Sequence, residues 1–158
     1  MKESVPVQIG EVKIGRAGQS LNAILGSCIG IGFLYPEGKV YGLAHALLAK
    51  STGPALKGKG RHVDHAITSL LEMMQIADSD RRKVKVFLAG GANMTLPSNA
   101  ERSRMVGAVN ADFARVAVRE AGLRLRHEDT GGEHGRRVEI DCDTGDYTIN
   151  TIPRLGAK

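Results

Sequence analysis

The 158-residue sequence contains no tryptophan, 4% aromatic residues and only two cysteines, Cys28 and Cys142. Two cysteines without metal-type spacing argue against a disulfide framework and suit a reducing compartment. With so few rings, the core must be built from Val, Ile, Leu, Ala and Met. No apolar run approaches the roughly 20 residues that a bilayer requires, and MKESVPVQIG at the start lacks the apolar segment of a secretory signal. We expect a cytoplasmic protein without membrane insertion.

Acidic residues are fewer than basic ones, and the net charge is +5. The cations cluster at Lys50–Arg61, Arg81–Lys85, Arg102–Arg104, Arg115–Arg126 and Arg136–Arg137. Such a balance favours an anionic partner, whether nucleic acid, a membrane surface or an acidic protein. A solvated, mildly basic surface explains the same charge without any partner. No aromatic residues interleave with the cations as a base-stacking platform needs, so we expect no nucleic acid partner.

A chain of this length fits one domain, and we expect a single domain over residues 1–158. Its first third predicts β-structure. Val5–Ile14 partly alternates, Leu21–Leu25 and Ile29–Leu34 are short apolar runs, and Tyr35–Gly38 predicts a turn before a further apolar segment at Val40–Leu48. Glycines, a proline and three cations then predict a mobile surface loop over residues 51–61.

Two helices are predicted after this loop. The first carries an apolar stripe of Val63, Ile67, Leu70, Leu71 and Met74. The second carries a stripe of Val106, Val109, Phe113, Val116 and Ala117, and Gly122 is placed to end it.

Four further strands are predicted around and after the second helix: 84–89, 123–125, 137–140 and 147–149, with a hairpin turn at 143–146. We therefore predict an α+β fold, a layered sandwich of two main helices packed on a largely antiparallel β core.

Cys28 follows Gly26 and Ser27 at the junction of two apolar runs. A catalytic cysteine works as a thiolate and needs a base and donors that stabilise negative charge. We expect Gly26 to take a positive φ, which would turn the backbone N–H groups of Gly26 and Ser27 toward the sulfur as an oxyanion hole. The alternative is a buried structural cysteine at the start of a strand.

His45 is the histidine best placed to serve as the base. If the runs on either side of the Tyr35–Gly38 turn pair as antiparallel strands, position 45 returns to about the level of position 28. The alternative is a core histidine bonded to a backbone carbonyl.

The other four histidines are weaker candidates. His62 and His65 lie at a helix start with spacing that suits a metal, but no third ligand is evident. His127 and His134 flank a Gly-Gly turn and are expected to face solvent. Cys142 has no histidine nearby, and we interpret it as structural or incidental.

Five motifs occur in an order that resembles the CheD family of chemotaxis proteins. They are LGSC at 25–28, AH at 44–45, VDHAI at 63–67, GGANM at 90–94 and EDTGGEHGR at 128–136. The similarity covers roughly residues 6–150. It implies a CheD-like fold and a chemoreceptor glutamine deamidase, which hydrolyses receptor glutamine side chains to glutamate and releases ammonia without a metal or organic cofactor.

The resemblance also implies roles for individual residues. Cys28 corresponds to the family's nucleophile and His45 to its base. Family members carry threonine six residues before the cysteine, where it helps to orient the histidine, whereas this chain has Asn22 there. An asparagine carbonyl accepts a hydrogen bond from an imidazole in Cys-His-Asn sites, so Asn22 is predicted to take the third place.

The resemblance further implies methyl-accepting chemotaxis receptors as partners, together with a CheC-type phosphatase. Basic residues around the site would speed encounter with glutamate-rich receptor helices. One alternative is a non-catalytic adaptor that keeps only these binding roles. Another is a basic nucleic-acid-binding domain, against which the lack of a stacking surface and a recognisable motif argues.

Overall fold

The structure, a computed structural model, describes residues 2–53 and 58–153. Two α-helices and nine strands lie in these ranges: β1 Glu3–Pro6, β2 Val12–Gly15, β3 Gln19–Leu25, β4 Ile29–Tyr35, β5 Val40–Ala46, α1 Val63–Met73, β6 Lys85–Gly90, α2 Val106–Glu120, β7 Arg124–Thr130, β8 Gly135–Asp141 and β9 Tyr147–Ile152. Short 3₁₀ turns occupy Pro36–Gly38, Asp78–Lys83 and Arg102–Arg104. The predicted α+β class is confirmed.

The strands form two sheets. One has four strands in the order β1-β3-β8-β9, and the other has five in the order β2-β5-β4-β6-β7. The pairs β1–β3 and β6–β7 are parallel, and all other neighbouring pairs are antiparallel. The predicted, largely antiparallel β core is therefore confirmed.

Two apolar cores divide the molecule into three layers. The five-stranded sheet packs one face on the helices through residues such as Ile31, Phe33, Leu70 and Ala114. Its other face packs on the four-stranded sheet through a second core, which includes Leu21, Leu25, Leu43, Phe87 and Val138. Cys28 belongs to this inter-sheet core.

Helix α1 packs as its periodicity predicts. Val63, Ile67, Leu70 and Met74 are buried against the five-stranded sheet, and Leu71 packs at their edge. The end of α2 is also as predicted, since Ala121 caps the helix and Gly122 follows with φ +75°.

The predicted face of α2 is confirmed only in part, because Phe113 and Ala117 pack against the core whereas the predicted valines do not. Three of its valines are exposed: Val106 by 49%, Val109 by 42% and Val116 by 39%. The buried face instead carries mostly small residues: Gly107, Ala108, Asn110, Ala111, Ala114 and Val118. The physical reason is close approach, because a Cβ on Gly107 would lie 2.5 Å from the backbone carbon of Gly91. A larger side chain does not fit at position 107.

The remaining elements follow the predictions with local changes. The alternating region 5–14 forms two strands rather than one, β1 and β2, in different sheets. The hairpin turn at 143–146 is present, with Gly145 at φ +80°. Of the predicted loop over 51–61, positions 54–57 lie outside the described residues. No helix in the described ranges is long and apolar enough to span a membrane.

Candidate active site

Cys28 ends the turn by which the chain passes from one sheet to the other. The turn, residues 26–28, connects β3 of the four-stranded sheet to β4 of the five-stranded sheet. Its thiol is free and the residue is only 5% exposed. Burial raises the pKa of the Cys28 thiol above its ordinary value. The resting sulfur is therefore protonated at neutral pH and needs a neighbouring base.

His45 lies on the strand beside Cys28 and faces the same core. Strands β4 and β5 pair with Gly30 opposite His45. Continuing this register one residue beyond the start of β4 makes Cys28 the diagonal neighbour of His45. Side chains two apart on a strand share a face, and diagonal neighbours have Cα atoms roughly 7–8 Å apart. The pairing predicted across the Tyr35–Gly38 turn is thus present, with a two-residue offset.

A backbone carbonyl fixes the tautomer of His45. Its Nδ1 lies 2.9 Å from the carbonyl oxygen of Val7. A carbonyl only accepts hydrogen bonds, so Nδ1 carries the hydrogen and Nε2 presents a lone pair. Burial lowers the pKa of His45 from its usual 6.5, against a smaller opposing effect of the Val7 bond. The ring is therefore neutral at pH 7, with Nε2 able to accept a proton.

Asn22 does not contact the imidazole through its side chain. Its Nδ2 donates to Ser4 Oγ at 2.8 Å, and it alternates along β3 with Leu21 and Ala23, which face the core. The backbone does provide a link, because the Asn22 carbonyl accepts the N–H of Val7 at 2.7 Å. The group bonded to His45 is thus the Val7 peptide, which Asn22 holds by its main chain.

The predicted positive φ at Gly26 is wrong. Near the turn, the glycines in the left-handed region are Gly90, at φ +100°, and Gly91, at φ +64°. The backbone N–H groups of Ser27 and Cys28 donate no hydrogen bond to any group in the described part of the chain. Two unpaired donors therefore lie next to the sulfur without the glycine conformation we expected.

The GGANM segment holds the turn in place. Gly91 N–H donates to the Cys28 carbonyl at 2.8 Å, and Ala92 N–H donates to the Gly26 carbonyl at 3.0 Å. At Gly90 a Cβ would lie 2.3 Å from the Cys28 carbonyl oxygen, so this approach requires glycine. Sequence reasoning named these residues as motif members without finding this role.

The EDTGGEHGR segment supports GGANM in turn. Gly131 N–H donates to the Gly90 carbonyl at 3.0 Å, and Asn93 N–H donates to the Gly132 carbonyl at 2.8 Å. Arg136, only 7% exposed, donates to the carbonyls of Gly131 and His134 and pairs with Asp129 at 3.1 Å. A buried guanidinium with several acceptors fixes the turn that braces Gly90 and, through it, Cys28.

Substituting Gly90 by alanine is expected to lower both stability and activity. The new Cβ meets the Cys28 carbonyl and adopts a φ that L-residues disfavour, so we expect a loss of about 2–3 kcal/mol in the free energy of unfolding. Chemical denaturation measures this loss. Gly122→Ala is the matched control, because its φ of +75° is strained and nothing lies within 4 Å of its Cβ. Equal losses in both variants would contradict the close approach at Cys28.

Two depressions flank the Cys28–His45 pair and share no lining residue. The first, which we call the α2 groove, has a volume of about 460 Å³ and borders Ser27 and Leu47. Its other side chains are mostly apolar and include Leu48, Met94, Leu96, Met105 and Val106, with Arg104 as its one charge. The second, the His45 pocket, has a volume of about 280 Å³ and borders His45, Asn22 and Gln8. A depression of about 660 Å³ along residues 3–13 borders neither Cys28 nor His45.

The other candidates lie away from this pair. His62 and His65 stack edge to face with ring centroids 5.6 Å apart, and His65 Nε2 lies 3.3 Å from the Gly53 carbonyl. Within residues 2–53 and 58–153, no three His, Cys, Asp or Glu side chains are grouped to hold a metal. Both histidines beside the Gly-Gly turn are exposed, as predicted. Cys142 is buried in the inter-sheet core.

The chain belongs to the CheD family. The family model described as CheD chemotactic sensory transduction matches residues 47–151. This match begins after Cys28 and His45, so the assignment does not depend on the candidate site residues.

Relatives from bacteria and archaea match nearly the whole chain. A protein of Ruegeria sp. (strain TM1040), named "Probable chemoreceptor glutamine deamidase CheD 2", is 54% identical over 166 residues, covering 95% of this chain and 93% of the relative. Proteins named "Probable chemoreceptor glutamine deamidase CheD" from Methanococcus vannielii and Bdellovibrio bacteriovorus are 38% and 30% identical. They cover 90% and 94% of this chain, and 92% and 94% of their own lengths.

Proposed function

We propose that this protein is a chemoreceptor glutamine deamidase, a cysteine-dependent amidohydrolase that converts receptor glutamine side chains to glutamate in chemotaxis adaptation. The observation that supports the proposal is the pairing of Gly30 with His45, because Cys28 lies two residues before Gly30. The bond of His45 Nδ1 to the Val7 carbonyl leaves Nε2 to accept a proton. The names of its relatives support the same substrate. A cytoplasmic location and a CheC-type phosphatase partner belong to the same proposal and rest on the family resemblance.

The reaction begins with proton transfer from Cys28 Sγ to His45 Nε2. The thiolate attacks the amide carbon, and the unpaired N–H groups of Ser27 and Cys28 stabilise the oxyanion. His45 then gives its proton to the leaving nitrogen, the C–N bond breaks and ammonia departs, which leaves a thioester on Cys28. Water attacks the thioester, its proton passes through His45 to the sulfur, and glutamate is released.

The Val7 carbonyl takes the orienting role that a third side chain plays in other Cys-His sites. Its hydrogen bond to Nδ1 keeps Nε2 directed away from the backbone of residue 7 and available for the thiol. Because Asn22 supports Val7 by its main chain, threonine at this position would preserve the same link. Asn22→Thr is therefore expected to leave kcat unchanged.

The test is deamidation of a purified chemoreceptor signalling fragment. We expect ammonia release in proportion to glutamine-to-glutamate conversion, mapped to individual glutamines by mass spectrometry, with Asn22→Thr run alongside. Alkylation of the thiols with iodoacetamide is expected to stop the reaction. Ammonia release that continues after Cys28 is fully alkylated would contradict a thiol mechanism.

Arg104 is expected to strengthen binding of acidic receptor segments. Several neighbouring cations are paired, such as Arg102 with Asp112 at 2.6 Å, whereas Arg104 forms no ion pair with any described residue. Arg104→Glu is expected to raise KM about tenfold at low salt while leaving kcat unchanged, because a reversed charge costs encounter and binding rather than chemistry. The difference should shrink as ionic strength rises.

The control is Arg119→Glu, which makes the same charge change at an exposed position outside the α2 groove. An equal rise of KM in both variants would indicate a general charge effect and contradict a specific contact at Arg104.

A further inference from the structure

We propose that the His45 pocket is a solvent path, separate from the substrate groove, through which water reaches the thioester. This inference rests on the proposed function and deepens it. The two depressions then have different functions. The α2 groove binds the receptor segment, and the His45 pocket admits the water that hydrolyses the thioester.

The chemistry of the proposed reaction creates the need for a second path. After the C–N bond breaks, the receptor segment remains attached to Cys28 through the thioester and still occupies the groove by which it arrived. The α2 groove borders Ser27 and Leu47, directly beside the nucleophile. A water molecule must therefore reach the thioester carbon from another side, with His45 close enough to take its proton.

The location of the His45 pocket meets this need. It borders the imidazole itself, and its lining shares no residue with the α2 groove. A covered groove thus leaves the pocket open. Because the Val7 carbonyl accepts the hydrogen of Nδ1, the nitrogen left to activate a water is Nε2.

The size and polarity of the pocket suit water. Its volume of about 280 Å³ holds several molecules at roughly 30 Å³ each. Gln8 and Asn22 border it together with His45, and ordered water requires polar partners.

Narrowing the mouth of the pocket should therefore slow the second half of the reaction only. Ile24, on β3, and Gln8 are exposed residues that border the pocket. Tryptophan at either position, Ile24→Trp or Gln8→Trp, would cover the mouth without entering the core. Val116→Trp is the matched control, since it adds the same ring at an exposed position on α2 outside both depressions.

The experiment measures the first turnover and the steady state separately on the receptor signalling fragment. We expect both pocket variants to release the first equivalent of ammonia at the wild-type rate. Their steady-state rate is expected to fall about tenfold, which corresponds to a deacylation barrier about 1.4 kcal/mol higher. Acid-quenched samples should then show the acyl adduct on Cys28 by mass spectrometry, in larger amount than the wild type or Val116→Trp.

Two results would overturn the inference. A slower first turnover without accumulation of adduct would show that the pocket admits the receptor glutamine instead. Wild-type rates in both folded pocket variants would show that the pocket plays no part. Failure of the proposed function looks different, because the wild type would then release no ammonia and form no adduct.

Discussion

Replacement of Cys28 by alanine is expected to reduce ammonia release by at least about four orders of magnitude, since no other group supplies the nucleophile. The variant removes one sulfur from a site at the edge of the inter-sheet core, so the fold should persist. The measurement is ammonia release from the receptor fragment under single-turnover and steady-state conditions.

Cys142→Ala is the matched control for this prediction. Cys142 is the other free, buried thiol of the same core. Its removal should cost about 1 kcal/mol of stability and leave the rate unchanged. If Cys28→Ala and the wild type released ammonia equally, the enzyme proposal would be wrong. Retained binding to the receptor and a CheC-type phosphatase would then favour the adaptor.

Replacement of His45 by glutamine is expected to lower kcat about a thousandfold, within the range for loss of a general acid–base residue. A glutamine side chain has a similar length and can still form hydrogen bonds, but it has no basic nitrogen. The measurement is kcat and KM on the same receptor fragment, with KM expected to stay close to that of the wild type.

The pH dependence of activity tests the same role of His45. Catalysis needs neutral His45, and burial lowers the pKa of this ring below 6.5. Wild-type activity should therefore be complete above pH 6.5 and be lost as pH falls through the lowered pKa. His45→Gln should lose this acid limb. Its residual rate should rise with pH toward the raised thiol pKa, because it depends on thiolate already formed.

His65→Gln is the matched control for His45, because it removes a second buried imidazole that lies on α1. It is expected to keep the wild-type pH profile and kcat. If His45→Gln still lost activity as pH falls, the titrating group would be another residue. This result would contradict the role of His45 as base.

Local patterns in the sequence predicted most of the fold. Apolar runs and turn residues gave the strands, and the short Tyr35–Gly38 connection predicted the pairing that places His45 near Cys28. Alternation also contained a signal that we did not use. Leu21 and Ala23 face the core, so the residue between them, Asn22, must point away from it.

The errors at α2 and at Gly26 have a common cause. The type of a residue does not determine which other residues it contacts in the fold. Val106, Val109 and Val116 were predicted to be buried from their helical spacing, but the helix packs closely against Gly91 through Gly107 instead. Glycine at position 26 permits a positive φ without requiring one, whereas Gly90 requires it. The bracing of Gly90 by Gly131 joins residues far apart in sequence, and no local pattern encodes such a contact.

Each of the two sheets determines a different feature of the proposed catalytic pair, Cys28 and His45. The spacing of sulfur and imidazole is set within a single ladder, because Cys28 precedes β4 and His45 lies on β5. The tilt of the ring is set from outside that ladder by Val7, which follows β1 of the opposite sheet. Substitutions that slide one sheet over the other would thus retune the basicity of the imidazole while its reach to the thiol stays constant.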